Sequence, residues 1–566
     1  ATIFAYDAAG RRTRQTRPDL TYAVTLYDGL GRVTLSAQYD SGDSVFAATG
    51  RLYDDALNVA TKVYQVDDPG AGFAYSSTDD PAQVMLYAAT GRLTAQQDAG
   101  GNQTDFAYDD LGRRITTTDP VGNQQIVVYD DGDRVLTRIQ RDYDGTSYTA
   151  FTTAMHYDAA NRLTRSVQQG PDGDIAAAAD NLIATRWYDA LGRVTQTEDP
   201  AGMQTARYYD DVGNVTRLEE DAGAGGIGRI TDKAYDRAGR LTRLTAFKDS
   251  SSGTGIEYTD YLYSDAGVTT RVIYPDDTTL GGPDRGYVEF FYDAALRLTR
   301  EVDQAGLATD TVYDDMGRRL TVTKGAEVDS FTYTDWGAIA SAKRGTSSNH
   351  DASSSVTRSY NSLMRLTRES QAIEEDPARH VDYAYDLPGN VTQLNYPGGT
   401  TIATTYDANH RRDVIDKDAS QIADYDYVGP GNRPRKLTFE TGVTDVVQSH
   451  RYDGAGRLTR LSQAQGGTEL ATFGYTFDNA GNILTRTFEH RDSGGGAPSE
   501  EYAHDSLHRL TKTTFGQRSS TPYKGWTYDD LGNHLTQDDD GATTAGLYNA
   551  VNEQTARGGT ALTWSR

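Results

Sequence analysis

The chain has 566 residues, of which 37% are apolar, 38 are Tyr, 57 are Gly and none is Cys, and its formal net charge is −26. The acidic charge argues against a nucleic-acid or anionic-membrane partner, because both require clustered Lys and Arg, and the lack of Cys excludes disulfides, thiolate metal sites and a Cys nucleophile. No apolar run approaches the roughly 18 residues of a membrane helix, and the abundance of Tyr, Thr, Val and Gly favours strands and tight turns.

An internal repeat of the form Tyr-Asp-x-x-Gly-(Arg/Asn)-(Val/Leu)-Thr runs along the whole chain. Clear copies start, in chain order, at Tyr27, Tyr108, Tyr188, Tyr235, Tyr313, Tyr385, Tyr452 and Tyr528. Looser copies start at Tyr6, Tyr53, Tyr87, Tyr129, Tyr157, Tyr209, Tyr263, Tyr292, Tyr333, Tyr360, Tyr406, Tyr427 and Tyr548, and another ring replaces the Tyr at Phe477 and His504. These 23 degenerate copies predict one repeat architecture in place of several independent domains.

The unit from Tyr188 to Tyr209 predicts one β-hairpin. Residues 193–198 alternate and are rich in β-branched side chains, which is typical of a strand. Residues 199–202 place Asp first, Pro second and Gly fourth, the preferences of a type I turn, and residues 203–209 return as a second strand. Residues 210–214 then form the next turn, in which Gly can adopt a positive φ at a β-bulge.

A lone hairpin is marginally stable in water, so successive hairpins are expected to pair edge to edge. The sequence therefore predicts an all-β fold: a long antiparallel hairpin array coiled into a spiral sheet as the strand twist accumulates. Large aliphatic side chains are scarce while Tyr is plentiful, and this predicts a wall one sheet thick around a hollow space, without a solid core.

The repeated motif residues are expected to be structural, with Asp capping the turn and Arg lying over a ring or pairing with a carboxylate. No catalytic, cofactor-binding or metal-binding residue is predicted. The structural positions are Tyr27, Asp28, Gly31, Arg32, Tyr108, Asp109, Gly112, Arg113, Tyr188, Asp189, Gly192, Arg193, Tyr235, Asp236, Gly239, Arg240, Tyr313, Asp314, Gly317, Arg318, Tyr452, Asp453, Gly456 and Arg457.

These YDxxGRVT units, with intervening DPxGN-type turns, closely resemble the YD repeats of Rhs proteins, of the BC component of insecticidal Tc toxins and of teneurins. The resemblance covers nearly all of the chain. It implies a spiralling β-sheet wound into a hollow cocoon, which in bacterial members encloses a C-terminal toxin released by autoproteolysis. In teneurins it implies an extracellular adhesion role.

The family's aspartyl autoprotease segment carries a DPxGL-type motif after the repeats. Residues 558–566 still have repeat character, and the nearest match, residues 199–203, is an ordinary hairpin turn within the array. The sequence therefore predicts that this chain is no enzyme and lacks that segment.

The sequence also contains three weaker motifs. Residues 223–228 match GxGxxG, but a strand of the repeat follows where a dinucleotide site needs a helix. His504 and His508 have metal-ligand spacing, yet they replace the Tyr and Gly of the motif. The acidic run at residues 538–541 could hold Ca²⁺ but lacks the spaced ligands of an EF-hand loop.

We expect residues 1–566 to be a single continuous array, truncated at both ends, without a separate catalytic domain. The leading hypothesis is a secreted or cell-surface scaffold or shell, whose partner is its own C-terminal cargo domain or identical copies. The alternative is an extracellular adhesion or matrix protein that binds glycans or assembles with itself. Neither hypothesis involves nucleic acid or a membrane span.

Overall fold

The computed structural model describes residues 2–66, 73–76, 80–176, 180–223, 226–250, 254–275, 286–346, 349–374, 376–440, 442–490, 499–516, 522–548 and 554–562. Within these ranges the regular structure is entirely β, and no helix is long and apolar enough to cross a membrane.

The described residues form 47 strands. Their bounds are β1 Ile3–Tyr6, β2 Arg12–Thr16, β3 Tyr22–Tyr27, β4 Val33–Tyr39, β5 Val45–Asp54, β6 Val59–Gln65, β7 Ala82–Tyr87, β8 Leu93–Gln97, β9 Gln103–Tyr108, β10 Arg114–Thr118, β11 Gln124–Tyr129, β12 Val135–Tyr143, β13 Tyr148–Tyr157, β14 Leu163–Gln168, β15 Leu182–Tyr188, β16 Val194–Glu198, β17 Gln204–Tyr209, β18 Val215–Glu220, β19 Arg229–Tyr235, β20 Leu241–Asp249, β21 Thr254–Tyr263, β22 Thr269–Ile273, β23 Tyr287–Tyr292, β24 Leu298–Val302, β25 Ala308–Tyr313, β26 Arg319–Lys324, β27 Glu327–Tyr333, β28 Ile339–Thr346, β29 Asn349–Tyr360, β30 Leu366–Ile373, β31 Arg379–Tyr385, β32 Val391–Asn395, β33 Thr401–Tyr406, β34 Arg412–Lys417, β35 Ser420–Val428, β36 Arg433–Phe439, β37 Val446–Tyr452, β38 Leu458–Gln465, β39 Thr468–Phe477, β40 Ile483–His490, β41 Ser499–His504, β42 Leu510–Phe515, β43 Tyr523–Tyr528, β44 His534–Asp539, β45 Ala542–Tyr548, β46 Gln554–Arg557 and β47 Thr560–Ala561.

Each strand pairs antiparallel with the one that follows it, from β1 with β2 to β46 with β47, so the sheet is one open meander. The predicted unit is present: β16 and β17 form a hairpin, and Gly202 N–H donates to Asp199 O across the turn between them. The predictions of an all-β fold and of a long antiparallel hairpin array are confirmed. The strand limits differ from the predicted ones by a single residue, because Arg193 and Met203 belong to turns.

The repeat divides the sheet into two edges of different chemistry. The aromatic residue of each motif copy lies at or next to the end of an odd-numbered strand, so the 22 motif turns that the structure describes follow β1, β3 and so on to β43. Every described motif turn therefore lies on one side of the sheet, here called the motif edge. The turns that follow even-numbered strands form the opposite edge.

The sheet coils back on itself. Hydrogen bonds join residues that are 280 to 312 positions apart, as between Ser250 and Asp530 or between Asp98 and His410. In each such contact, the opposite edge of an earlier stretch (residues 46–250) meets the motif edge of a later stretch (residues 336–530). We call the earlier stretch the first coil, the later one the second coil, and the line of contact the seam.

The wall is thin. The strands that contact each other substantially are consecutive in sequence, and among the described residues no large side chain is fully buried. A small apolar cluster around Leu35, Ala37 and Tyr64 packs between β4, β5 and β6. The predicted absence of a conventional solid core follows from this geometry, since one sheet layer has no second layer to pack against.

Candidate functional site

The turn at Asp189 shows what the motif carboxylate does. Its Oδ1 accepts hydrogen bonds from the backbone N–H groups of Leu191 and Arg193, both at 2.9 Å, and its Oδ2 accepts from Arg193 Nε at 2.6 Å. Gly192 completes the turn with φ +85 and donates its N–H to Asp189 O at 3.1 Å. A carboxylate with three donors and a residue with positive φ explain Asp and Gly at these positions.

The Arg of each motif also joins its own turn to the next. Arg193 Nη1 donates to Asp210 O in the following turn at 3.0 Å, and its guanidinium lies 4.6 Å from the centre of the Tyr209 ring. One side chain thus makes an ion pair, a hydrogen bond and a cation–π contact, so it links neighbouring repeats.

The Tyr hydroxyl closes the same link. Tyr209 Oη donates to Val194 O in the preceding repeat at 2.6 Å. The other predicted tyrosines do likewise, donating to the carbonyl groups of Arg12, Leu93, Leu163, Val215, Leu298 and Pro434. In a half-buried Tyr such as Tyr209, the ring packs against the Arg guanidinium, while the hydroxyl donates to a backbone carbonyl.

The structure places the remaining predicted residues in the same arrangement. The pairs Asp28–Arg32, Asp109–Arg113, Asp236–Arg240, Asp314–Arg318 and Asp453–Arg457 each join Nε to Oδ2 at 2.6 to 2.9 Å. The glycines Gly31, Gly112, Gly239, Gly317 and Gly456 have φ between +77 and +84. The guanidinium groups lie over Tyr53, Tyr129, Tyr263, Tyr333 and Phe477 of the following copies.

The motif Thr has a role that sequence reasoning missed. In the β13–β14 pair, Tyr157 lies opposite Leu163 and His156 opposite Arg165, so Thr164 is the unpaired residue of a β-bulge. Its hydroxyl donates to His156 O at 3.2 Å. The same bond recurs for Thr34, Thr94, Thr216, Thr242, Thr270, Thr299, Thr459 and Thr511. The fixed position of Thr after the turn was the available signal.

The seam is polar and involves turns from both edges. On the first coil, the contacts come mainly from carboxylates: Asp119 accepts from Asn409 Nδ2 at 2.8 Å, and Asp142 and Asp221 accept from Arg433 and Ser506. Further contacts are Gln169 Nε2 to Gly454 O at 2.9 Å, Gly454 N to Pro171 O at 3.0 Å, Ser250 N to Asp530 Oδ2 at 2.6 Å and the ring pair Phe46–Trp336.

Two histidines complete the seam. His410 Nε2 lies 2.7 Å from Asp98 Oδ2, and His508 Nε2 lies 2.6 Å from Asp199 Oδ2. Both stand where most motif turns carry Gly, with φ of +59 and +63. The sequence placed His508 at the Gly position of its motif turn but did not identify its partner, because contacts about half a chain apart leave no local pattern.

The seam carboxylate Asp142 differs from the motif-turn carboxylates Asp158 and Asp293 in the direction of its pKa shift. In the motif turns, the backbone N–H of the Arg lowers the pKa of Asp158 and of Asp293, together with its guanidinium and against a smaller effect of burial. At the seam, burial raises the pKa of Asp142, although the Arg433 guanidinium opposes that shift. Asp142 is 3% exposed, so a charge there depends on Arg433.

An exposed apolar row runs along one face of the sheet, from Leu26 to Val312. Successive side chains of a strand point to opposite faces, so the residue before each motif aromatic faces away from that ring. This residue is large and apolar in Leu26, Leu52, Leu86, Val128, Trp187, Tyr208, Leu262, Phe291 and Val312, with exposures of 41 to 54%. From Thr332 onward the position carries mostly Thr, Ser or Ala, with Leu547 as an exception. We call these nine side chains the apolar row.

The acidic run at residues 538–541 has the hydrogen bonds of an ordinary turn. In the described part of the chain, no group of three or more His, Asp or Glu side chains could hold a metal ion. Asp538 at the acidic run accepts from Gly541 N at 2.7 Å and from Thr543 Oγ1 at 3.2 Å, as a turn carboxylate does. Two residues of the GxGxxG match, 224 and 225, lie outside the described residues.

The comparisons agree with the repeat and with the fold. The family described as RHS Repeat matches residues 87–124 and 188–226, so the chain contains repeats of this family, as the sequence predicted. No curated protein matches the sequence. The crystal structure of TcdB2-TccC3-Cdc42 is similar, with a TM-score of 0.52 and 15% identity over 97% of this chain and 32% of that chain. That of TcdB2-TccC3-TEV is similar over the same shares, with a TM-score of 0.50 and 15% identity. The chain therefore spans about a third of their length, and the likeness establishes the fold.

Proposed function

We propose that this chain of RHS repeats is a non-catalytic wall that coils around and encloses a polypeptide cargo. One observation carries the proposal: a single sheet coils until residues 280 to 312 positions apart meet along a seam. A wall of this kind separates a volume from solvent without a core of its own. The resemblance to Rhs and Tc proteins supports a secreted shell and a toxin as its cargo.

The surface chemistry favours an unfolded, basic cargo. The net charge of −26 attracts a basic polypeptide and repels an acidic one. The apolar row adds a contact surface for side chains that a folded cargo would bury, since rows of exposed large apolar groups mark interaction sites. In this proposal residues 1–566 act as one continuous wall, and neither the motif turns nor the seam performs any chemistry, including self-cleavage.

The test uses the lack of Cys in the chain. An unfolded basic polypeptide carrying several cysteines is fused after Arg566, and the rate of thiol labelling is measured. Enclosure predicts labelling at least about tenfold slower than for the same polypeptide fused to an unrelated globular protein, with the difference abolished in urea. Equal rates would contradict the proposal. If the same fusion then bound glycan arrays or formed filaments, the adhesion or matrix alternative would replace it.

A further inference from the structure

We propose that the seam is a separable joint of the coil, and that His410 and His508 are the latches that hold it closed. Opening at this joint is a property separate from enclosure, because it does not depend on what the coil contains. The bonds within a coil differ in kind from the bonds between coils.

Within a coil, each strand is bonded to the next through the main chain. The β37–β38 pair, for example, runs from Val446–Gln465 to Tyr452–Leu458, with one bulge before Tyr452. Between coils, the contacts are made mainly by side chains of separate turns, such as Asn409 with Asp119. Separating the coils therefore breaks no β-ladder, whereas opening the sheet between two strands breaks a continuous one. Separating the two coils along the seam therefore breaks fewer main-chain hydrogen bonds than opening the sheet between two strands.

The two histidines occur in the same arrangement of four residues, which consists of one Asn, one His and two Asp. Asn390 Nδ2 donates to Asp386 Oδ2 at 2.8 Å and to His410 Nδ1 at 3.0 Å, and His410 Nε2 faces Asp98 of the first coil. Because the amide donates to Nδ1, the ring proton lies on Nε2 and is donated to the Asp98 carboxylate. The imidazole is thus oriented by its own coil and bonds to the other.

The second latch uses the same residue types. Asn482 Nδ2 donates to Asp478 Oδ2 at 2.8 Å and to His508 Nδ1 at 3.1 Å, and His508 Nε2 faces Asp199. In both places Asn stands where most motif turns carry Arg, and His stands in a left-handed conformation that usually selects Gly. The replacements of Arg by Asn and of Gly by His occur together at both places. Each time, the His Nε2–H is oriented toward a carboxylate across the seam.

The test measures the distance across the seam by pulsed electron spin resonance. Spin labels are attached to Ala201→Cys on the first coil and Ala503→Cys on the second, in a chain without other Cys. The variant is His410→Asn with His508→Asn, since Asn tolerates the left-handed conformation but is too short to reach the carboxylate. The control is His380→Asn, whose Nε2 lies 3.8 Å from Asp382 of the same strand, away from the seam.

We expect the separated population to rise roughly fivefold for each latch removed, the ratio that about 1 kcal/mol represents. The His380→Asn control should match the wild type. A second label pair within the first coil, Ala201→Cys with Ala234→Cys, should keep its distance in every variant. An unchanged seam distance in the double variant would overturn the role of the latches. A change in the distance within the first coil would overturn the separable joint, because opening would then be unfolding.

Discussion

Tyr208 and Tyr209 are neighbours in sequence and serve opposite faces of the sheet. Tyr209 is half-buried beneath Arg193 and donates its hydroxyl to Val194 O at 2.6 Å. Tyr208 belongs to the apolar row, is 50% exposed and reaches Glu219 at 3.2 Å. Comparing the two residues therefore distinguishes the contribution of the motif hydroxyl from that of an ordinary surface hydroxyl.

Tyr209→Phe should lower the local free energy of opening of β16 and β17 by about 1 kcal/mol, the net contribution of one such hydrogen bond. Tyr208→Phe is the matched control. It should have a smaller effect, because the side chain of Tyr208 is exposed to solvent. Hydrogen exchange of the two hairpin strands measures both. Equal effects of the two changes would contradict the assigned role of the motif hydroxyl.

The motif carboxylates should make the protein sensitive to acid. The backbone N–H of Arg162 is the largest influence on Asp158 and lowers its pKa from the ordinary 3.8, although burial opposes the shift. A carboxyl with a depressed pKa in the folded state stabilises above its unfolded pKa, and this contribution is lost as pH falls below about 4. Asp158→Asn should therefore be less stable than the wild type at neutral pH, and the difference in urea midpoint should shrink in acid. A difference that persists or grows in acid would be inconsistent with this assignment.

At the scale of the element, the hairpin depends on glycines in the left-handed region. Gly192 has φ +85, and the nearest atom to an added Cβ is Arg162 Cδ at 4.0 Å, so a side chain there meets strain and no clash. Gly29 lies in another motif turn without a positive φ, and nothing stands within 4 Å of its added Cβ. The two positions differ in backbone conformation alone.

Gly192→Ala should destabilise its hairpin by about 1–2 kcal/mol, the cost of a left-handed L-residue. Gly29→Ala should be close to neutral. Because each repeat depends mainly on its neighbours, lost protection in hydrogen exchange should be confined to the strands around β15 and β16. Loss of protection throughout the sheet would contradict the picture of stacked hairpins.

The sequence predicted the hairpins because their signals are local. The Asp-Pro-x-Gly turn at residues 199–202 and the alternation before it specify strand, turn and strand within a dozen residues. The sequence placed the bulge at the turn Gly, and its actual position at Thr164 was missed because the position of a bulge depends on the partner strand as well. The contact of His508 with Asp199 could not be predicted, since it depends on how far the sheet turns over 309 positions.

At the scale of the whole molecule, the contacts along the coil differ in kind from the contacts between the two coils. Main-chain ladders run along the coil, side chains of separate turns join the coils, and the apolar row remains exposed between Leu26 and Val312. This combination suits a wall that keeps its shape while its seam opens. A solid globule would bury the row in a core, and here no second layer covers it among the described residues.

The most direct test of the account is a cryo-electron microscopy density map of the purified protein. A wall one sheet thick should curve around a void, with the turn at Asp199 on one coil touching the turn at His508 on the next. Two flat sheets packed face to face about 10 Å apart, with no space between them, would contradict the coiled wall and the function proposed for it.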